Sequence, residues 1–184
     1  MKITLPDQSL RELPEGSSGY DLAKDIGPGL AKSAVAVTIN GIQKDLHDVI
    51  EGDVSASIIT IDSDEGIEIM RHTLTAQVLA RAVKNIYPNS KLAIGPTIED
   101  GFYYDVETEE AISIDDLKKI EDEMIKIVKT KSSITKKLVG KEDALKIFKS
   151  QKETYKESII EESEQINDFQ LYYQDDEKFV DLCR

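Results

Sequence analysis

The sequence predicts an α+β protein in two domains, a small one followed by a larger one with a long helix against an antiparallel sheet. Three observations predict it. Residues 1–62 run strand, strand, helix and then further strands. Residues 66–87 carry apolar side chains at helical spacing. The remainder alternates strand-like runs with amphipathic helices. The chain's 184 residues suffice for two small domains.

In the first domain, residues 2–5 and 9–13 are short strand-like runs around the turn residues Pro6-Asp7. Gly16-Ser17-Ser18-Gly19 offers polar caps to a short helix over residues 20–26, with Leu22, Ala23 and Ile26 on its apolar face. Gly27-Pro28-Gly29 is expected to stop it. Residues 35–39 are a β-branched strand, and Asn40-Gly41 is a hairpin signal before residues 42–46. Residues 54–61 close the domain. Asp62-Ser63-Asp64-Glu65-Gly66 is a polar joint, which sets the boundary between residues 1–62 and 63–184.

In the second domain, Ile67, Met70, Leu74, Val78, Ala82 and Ile86 recur every three to four positions, as one face of a long helix requires. Pro88-Asn89-Ser90 ends it. Residues 91–106 read as a β-hairpin with an Asp100-Gly101 turn signal. Ser113-x-x-Asp116 resembles a capping box for a helix with Leu117, Ile120, Met124, Ile127 and Val128 on one face. Residues 134–139 follow as a strand and 141–149 as a short helix. Residues 155–160 and 171–182 are expected to be strands separated by an acidic loop.

Composition excludes several functions. A formal net charge of -13 opposes tight binding of a phosphate backbone, which draws mainly on Lys and Arg. No apolar run approaches the roughly 20 residues that cross a bilayer, and the first residues are broken too soon by Pro6 and Asp7 for a signal peptide. A cytoplasmic protein without membrane attachment is the expectation. A single cysteine and two histidines cannot build an all-Cys/His zinc site, so no metal site is expected. Neither a Gly-x-x-x-x-Gly-Lys phosphate loop nor a Gly-x-Ser-x-Gly elbow occurs.

Candidate chemistry is sparse, and each residue has a plainer reading. Gly95 and Tyr104 flank the hairpin, where glycine allows close backbone approach and tyrosine can stack or hydrogen-bond; otherwise both serve packing. His72, early in the long helix, titrates near neutrality and can act as acid or base in a pocket; otherwise it is a surface histidine. Lys156 reads as a solvated strand lysine. Asp181 and Cys183 alternate and so share one face of a strand.

A longer pattern joins these residues. Met70-Arg71-His72, Val78-Leu79-Ala80-Arg81-Ala82-Val83, Tyr87-Pro88, Lys91-Leu92-Ala93-Ile94-Gly95-Pro96 and Glu99-Asp100-Gly101-Phe102-Tyr103-Tyr104-Asp105 resemble the editing domain of threonyl-tRNA synthetases. Tyr155-Lys156 and Phe179-Val180-Asp181-Leu182-Cys183-Arg184 continue the match in order. Residues 1–62, opening Ile3-Thr4-Leu5-Pro6-Asp7, resemble the TGS module that precedes it, which implies a β-grasp fold followed by an editing-type α+β domain.

The resemblance implies a role. Such synthetases attach threonine to its tRNA, and a missing methyl allows only about 1–3 kcal/mol of discrimination against serine. A second site therefore hydrolyses seryl-tRNA. The implied partners are the acceptor end of threonine tRNA and the rest of a synthetase chain, typically a homodimer through its catalytic core. ATP, magnesium and a core zinc are implied for that core alone, expected beyond Arg184, and no cofactor for these residues. The family's editing pocket uses an H-x-x-x-H pair, a C-x-x-x-H pair, a lysine and an aspartate. Lys156, Asp181 and Cys183 match; the last histidine would fall beyond Arg184. His47 and His72 are the chain's two histidines, so the first pair is incomplete in any register. One register sets His72 and Ala76 at its two places; the other sets Thr73 and Gln77 there. The second is preferred because the first needs an inserted residue, which turns all preceding side chains by about 100°. The implied catalytic set is His72, Lys156, Asp181 and Cys183, with Thr73, Gln77, Gly95 and Tyr104 toward substrate. Editing is expected to be impaired. The alternatives are a free-standing deacylase with an altered site, or a non-catalytic module binding tRNA or a protein partner.

Overall fold

The structure, a computed structural model, describes residues 1–174 and 179–183, the Cys183 side chain excepted. It forms two compact units, Met1–Met70 and Arg71–Arg184. The division lies a few residues after the polar joint, inside a helix.

In the first unit, β1 (Lys2–Thr4) pairs antiparallel with β2 (Leu10–Glu12). α1 (Gly19–Ile26) starts where the Asp21 carboxylate accepts the Ser18 backbone N–H at 2.9 Å and its hydroxyl at 2.8 Å. Gly27 ends α1, but Pro28 does not end helical structure: it opens α2 (Pro28–Ser33). Proline suits a first helical position because its missing N–H has no partner to lose there. β3 (Ala34–Ile39) turns into β4 (Ile42–Asp45) through Asn40 and Gly41, whose φ values of 50° and 81° are those of a two-residue hairpin turn. β5 (Val54–Thr60) completes a sheet of order β2-β1-β5-β3-β4, in which β1 and β5 run parallel. Ile3, Leu22, Val37 and Ile50 fill the core of this β-grasp-like module.

α3 (Asp64–Thr73) spans the division between the units and leads into a π turn (Leu74–Leu79), then α4 (Ala80–Ile86). The expected uniform helix is thus interrupted. The Ala80 N–H reaches back five residues to the Thr75 carbonyl, so this turn holds one residue more than an α turn. The inward side chains are Thr75, Gln77, Ala80, Ala82 and Val83, whereas Ile67 and Met70 are exposed.

β6 (Lys91–Leu92), β7 (Thr97–Ile98), β8 (Gly101–Phe102) and β9 (Val106–Glu107) form a hairpin in two pieces, β6 with β9 and β7 with β8. Its turn residues are Glu99 and Asp100, with Gly101 already in the strand. Asp116 receives the Ser113 N–H at 3.0 Å and its hydroxyl at 2.6 Å to open α5 (Ile114–Thr130). That helix buries Ile120 and Ile127 with Met124 beside them; Leu117 and Val128 fall outside the stripe and are exposed.

β10 (Ile134–Val139) precedes α6 (Lys141–Ser150) and α7 (Thr154–Glu162). Residues 155–160 are therefore helical, not a strand. Their inward positions are Lys156 and Ile160, four apart, and the charge at one of them hides the helical period. Residues 171–182 are likewise not one strand. β11 (Phe169–Gln174) and β12 (Val180–Cys183) pair antiparallel, with Leu171 opposite Leu182 and Tyr172 opposite Asp181. The sheet order is β10-β11-β12, and β12 packs against the π turn. The α+β class holds in both units. Among the described residues, no helix is long and apolar enough to cross a membrane.

Candidate functional site

Lys156, expected in solvent, is 2% exposed. It lies in the first turn of α7, and its ammonium donates to Oδ1 of Asp181 on β12, itself 4% exposed. The same Oδ1 accepts the Leu182 N–H at 2.9 Å. The ammonium also stands 5.5 Å from the Phe148 ring centroid, within reach of a cation–π attraction. Two charges this deeply buried are tolerated only as a pair with further hydrogen bonds.

The pair lines a cavity of about 210 Å³. The helical segment contributes His72 and Ala76, the hairpin residues 93–96 and Tyr104, α7 Lys156 and Ile159, and β12 Asp181 and Leu182. Five residues singled out in the sequence thus converge: His72, Gly95, Tyr104, Lys156 and Asp181. Thr73 and Gln77 do not line it. The Cys183 side chain lies outside the described atoms; its backbone is in β12, opposite Gln170.

The preference for the Thr73 and Gln77 register rests on the cost of an inserted residue; a π turn can hold one residue more without turning the side chains before it, so that cost does not decide between the registers. His72 and Ala76 both reach the cavity wall. Gln77 is buried: its side-chain Oε1 accepts Nε2 of Gln174 at 3.3 Å, its backbone carbonyl accepts the same group at 2.6 Å, and Gln174 Oε1 accepts Nη1 of Arg81. Gln77, expected toward substrate, is thus buried and outside the cavity lining.

Gly95 is required by its surroundings. A Cβ there would lie 2.3 Å from Cδ2 of Tyr104 and 2.6 Å from Cγ2 of Thr75. Thr75 is fully buried, and its hydroxyl is held by the Arg71 carbonyl at 2.7 Å. Burial, reinforced by the negative charges of Asp181 and Glu153, raises the Tyr104 phenol well above its ordinary pKa, so it stays protonated as a donor.

Glu153 is the residue that sequence reasoning missed. It is 2% exposed, accepts the Leu92 N–H at 2.9 Å and pairs with the Lys84 ammonium at 2.6 Å. Those partners are about sixty or more positions away in the chain, and no local pattern marks them. Among the described residues, no group of three or more His, Cys, Asp or Glu is placed to hold a metal ion. The chemistry on offer is one imidazole, a fixed ammonium, a phenolic donor and close backbone approach at Gly95.

Comparison with known families bears on the first unit. Residues 1–60 match the TGS domain model. TGS domains occur in aminoacyl-tRNA synthetases and in GTPases, which connects the chain to a tRNA- or nucleotide-related role.

Proposed function

We propose that the second unit is the editing-type region of a threonyl-tRNA synthetase, receiving the aminoacylated end of tRNA but hydrolysing seryl-tRNA poorly. The convergence of His72, Gly95, Tyr104, Lys156 and Asp181 on one cavity carries this reading: the resemblance sets Lys156 and Asp181 at editing positions and, in one register, His72, while Gly95 and Tyr104 fall within its matched runs. The TGS match in residues 1–60 supports the same pathway.

The impairment follows from proton bookkeeping at an ester. Water loses a proton as it adds to the carbonyl, and the departing ribose oxygen gains one as the tetrahedral intermediate collapses. Two imidazoles can divide these tasks. Here His72 has Ala76 where a second would stand, and the Lys156 ammonium is committed to Asp181. The ammonium orients; it does not replace the missing base. The net charge of -13 makes any tRNA affinity of this chain weak and strongly salt-dependent.

The test is deacylation of seryl-tRNA by the purified chain. Hydrolysis is expected to stay near the spontaneous rate, and Ala76→His is expected to raise it by about 10²–10⁴-fold, the usual range for a positioned acid or base. Rapid hydrolysis by the unmodified chain, abolished by Lys156→Met or Asp181→Asn, would overturn the impairment. Failure of Ala76→His to bind or hydrolyse seryl-tRNA would overturn the assignment of the cavity.

A further inference from the structure

Glu153 sits where α7 begins, yet it does not cap that helix. Its backbone follows Lys152, whose φ of 60° makes a tight corner after α6, and its side chain makes no bond to the helix it precedes. Ser, Thr, Asp and Asn are the residues suited to that position. The Glu153 carboxylate instead reaches across to β6. One oxygen accepts the Leu92 N–H at 2.9 Å; the other takes the Lys84 ammonium at 2.6 Å, and that ammonium also donates to the Ser90 carbonyl at 2.6 Å. A nearly fully buried carboxylate is costly unless paired in this way.

The two ends of this clamp are the roots of two cavity walls. Lys156 follows Glu153 by one helical turn. Leu92 leads directly into residues 93–96, held to the other hairpin arm by Ala93 N–H to Asp105 O at 3.0 Å and Asp105 N–H to Ile94 O at 2.9 Å. We propose that Glu153 is a positioning residue, fixing the spacing between the Lys156–Asp181 pair and the wall that carries Gly95. Its effect on an aminoacyl ester rests on the functional reading above; its effect on Lys156 does not.

The experiment uses the full chain labelled with ¹⁵N-lysine. The side-chain ammonium signal of Lys156 is assigned by its loss in Lys156→Met, and affinity is measured for a non-hydrolysable amide of serine with 3′-amino-3′-deoxyadenosine. Glu153→Gln keeps the size and an acceptor for Leu92 but loses the ion pair. It is expected to shift or broaden the Lys156 signal and to weaken the amide by about tenfold, the order that misplacement of a binding group costs. Ile127→Val, a conservative loss in another part of the core, is expected to lower Tm without moving that signal. Should Glu153→Gln fail to fold, Lys84→Gln carries the same readout. An unmoved Lys156 signal in a variant that has lost the ion pair overturns the proposal. If the unmodified chain does not bind the amide, the functional reading fails, and the Lys156 signal still decides the role of Glu153.

Discussion

The two units bury different chemistry. In Met1–Met70 the buried side chains are apolar, led by Ile3, Leu22, Val37 and Ile50. Among the described residues, the buried polar and charged ones, from Thr75 and Gln77 to Glu153, Lys156, Gln174 and Asp181, all belong to Arg71–Arg184. Burying apolar area is favourable by itself, whereas each buried polar group must recover its lost hydration through a specific partner. The first unit is organised for stability. The second accepts a costlier interior, and that is where a site for chemistry is to be sought.

The sharpest way to break this contrast is to leave one buried charge alone. Lys156→Met strands the Asp181 carboxylate and is expected to cost about 3–5 kcal/mol. The double variant Lys156→Met, Asp181→Leu is expected to recover most of the loss, because it removes the uncompensated charge as well. Leu22→Ala in the first unit should cost a similar amount, about 2–5 kcal/mol, but as a cavity that no second polar change relieves. Denaturant unfolding with hydrogen exchange in each unit measures both. A loss of only about 0–1 kcal/mol for Lys156→Met, as for an exposed pair, would erase the distinction.

Gly95→Ala probes the same interior from its hairpin side. The new methyl meets an aromatic ring and a buried threonine rather than a flexible chain end. Overpacking of this kind costs about 1–3 kcal/mol. The expected result is a lower Tm together with weaker binding of the serine amide. Gly41→Ala is the control from the first unit, where no atom lies within 4 Å of the added Cβ and the strain comes from a φ of 81°. It should lower Tm without touching amide binding.

The contrast also decides what the sequence made legible. The first unit is specified by near neighbours: Asn40-Gly41 sets a turn, and Ser18 with Asp21 starts a helix. The stop at Gly27-Pro28-Gly29 holds for the first helix; the second helix that Pro28 opens went unread, because proline both ends and begins helices. In the second unit the determinants lie far apart. The helix bearing Lys156 read as a strand because its inward charge is explained only by Asp181, 25 residues on. Leu171 and Leu182 are cross-strand neighbours, not members of one strand. The π turn leaves no mark in the apolar spacing, so the choice between Gln77 and Ala76 could not be made from periodicity. Five of the eight residues singled out in the sequence nonetheless meet at one cavity, since order along the chain does not depend on correct secondary structure.

The finest comparison is a device both units share. Each starts a helix with Ser-x-x-Asp, and each aspartate is held below its ordinary value of 3.8. For Asp21 the main causes are hydrogen bonds from the Ser18 backbone and hydroxyl; for Asp116 the largest is the Lys119 ammonium, 2.8 Å away on the surface. Because folding lowers these pKa values, each carboxylate's contribution is present above 3.8 and is lost as pH falls through its folded value. Ser18→Ala is expected to cost about 1 kcal/mol at neutral pH. The penalty of Asp21→Asn should fade as the pH drops below the carboxylate range. Removing the ammonium then separates the two boxes. Lys119→Met deletes the largest cause at Asp116 and leaves the bonds to Asp21 in place. An NMR titration should find the Asp116 pKa rising in that variant while that of Asp21 stays; an unmoved Asp116 would mean that the ammonium is not what holds it down.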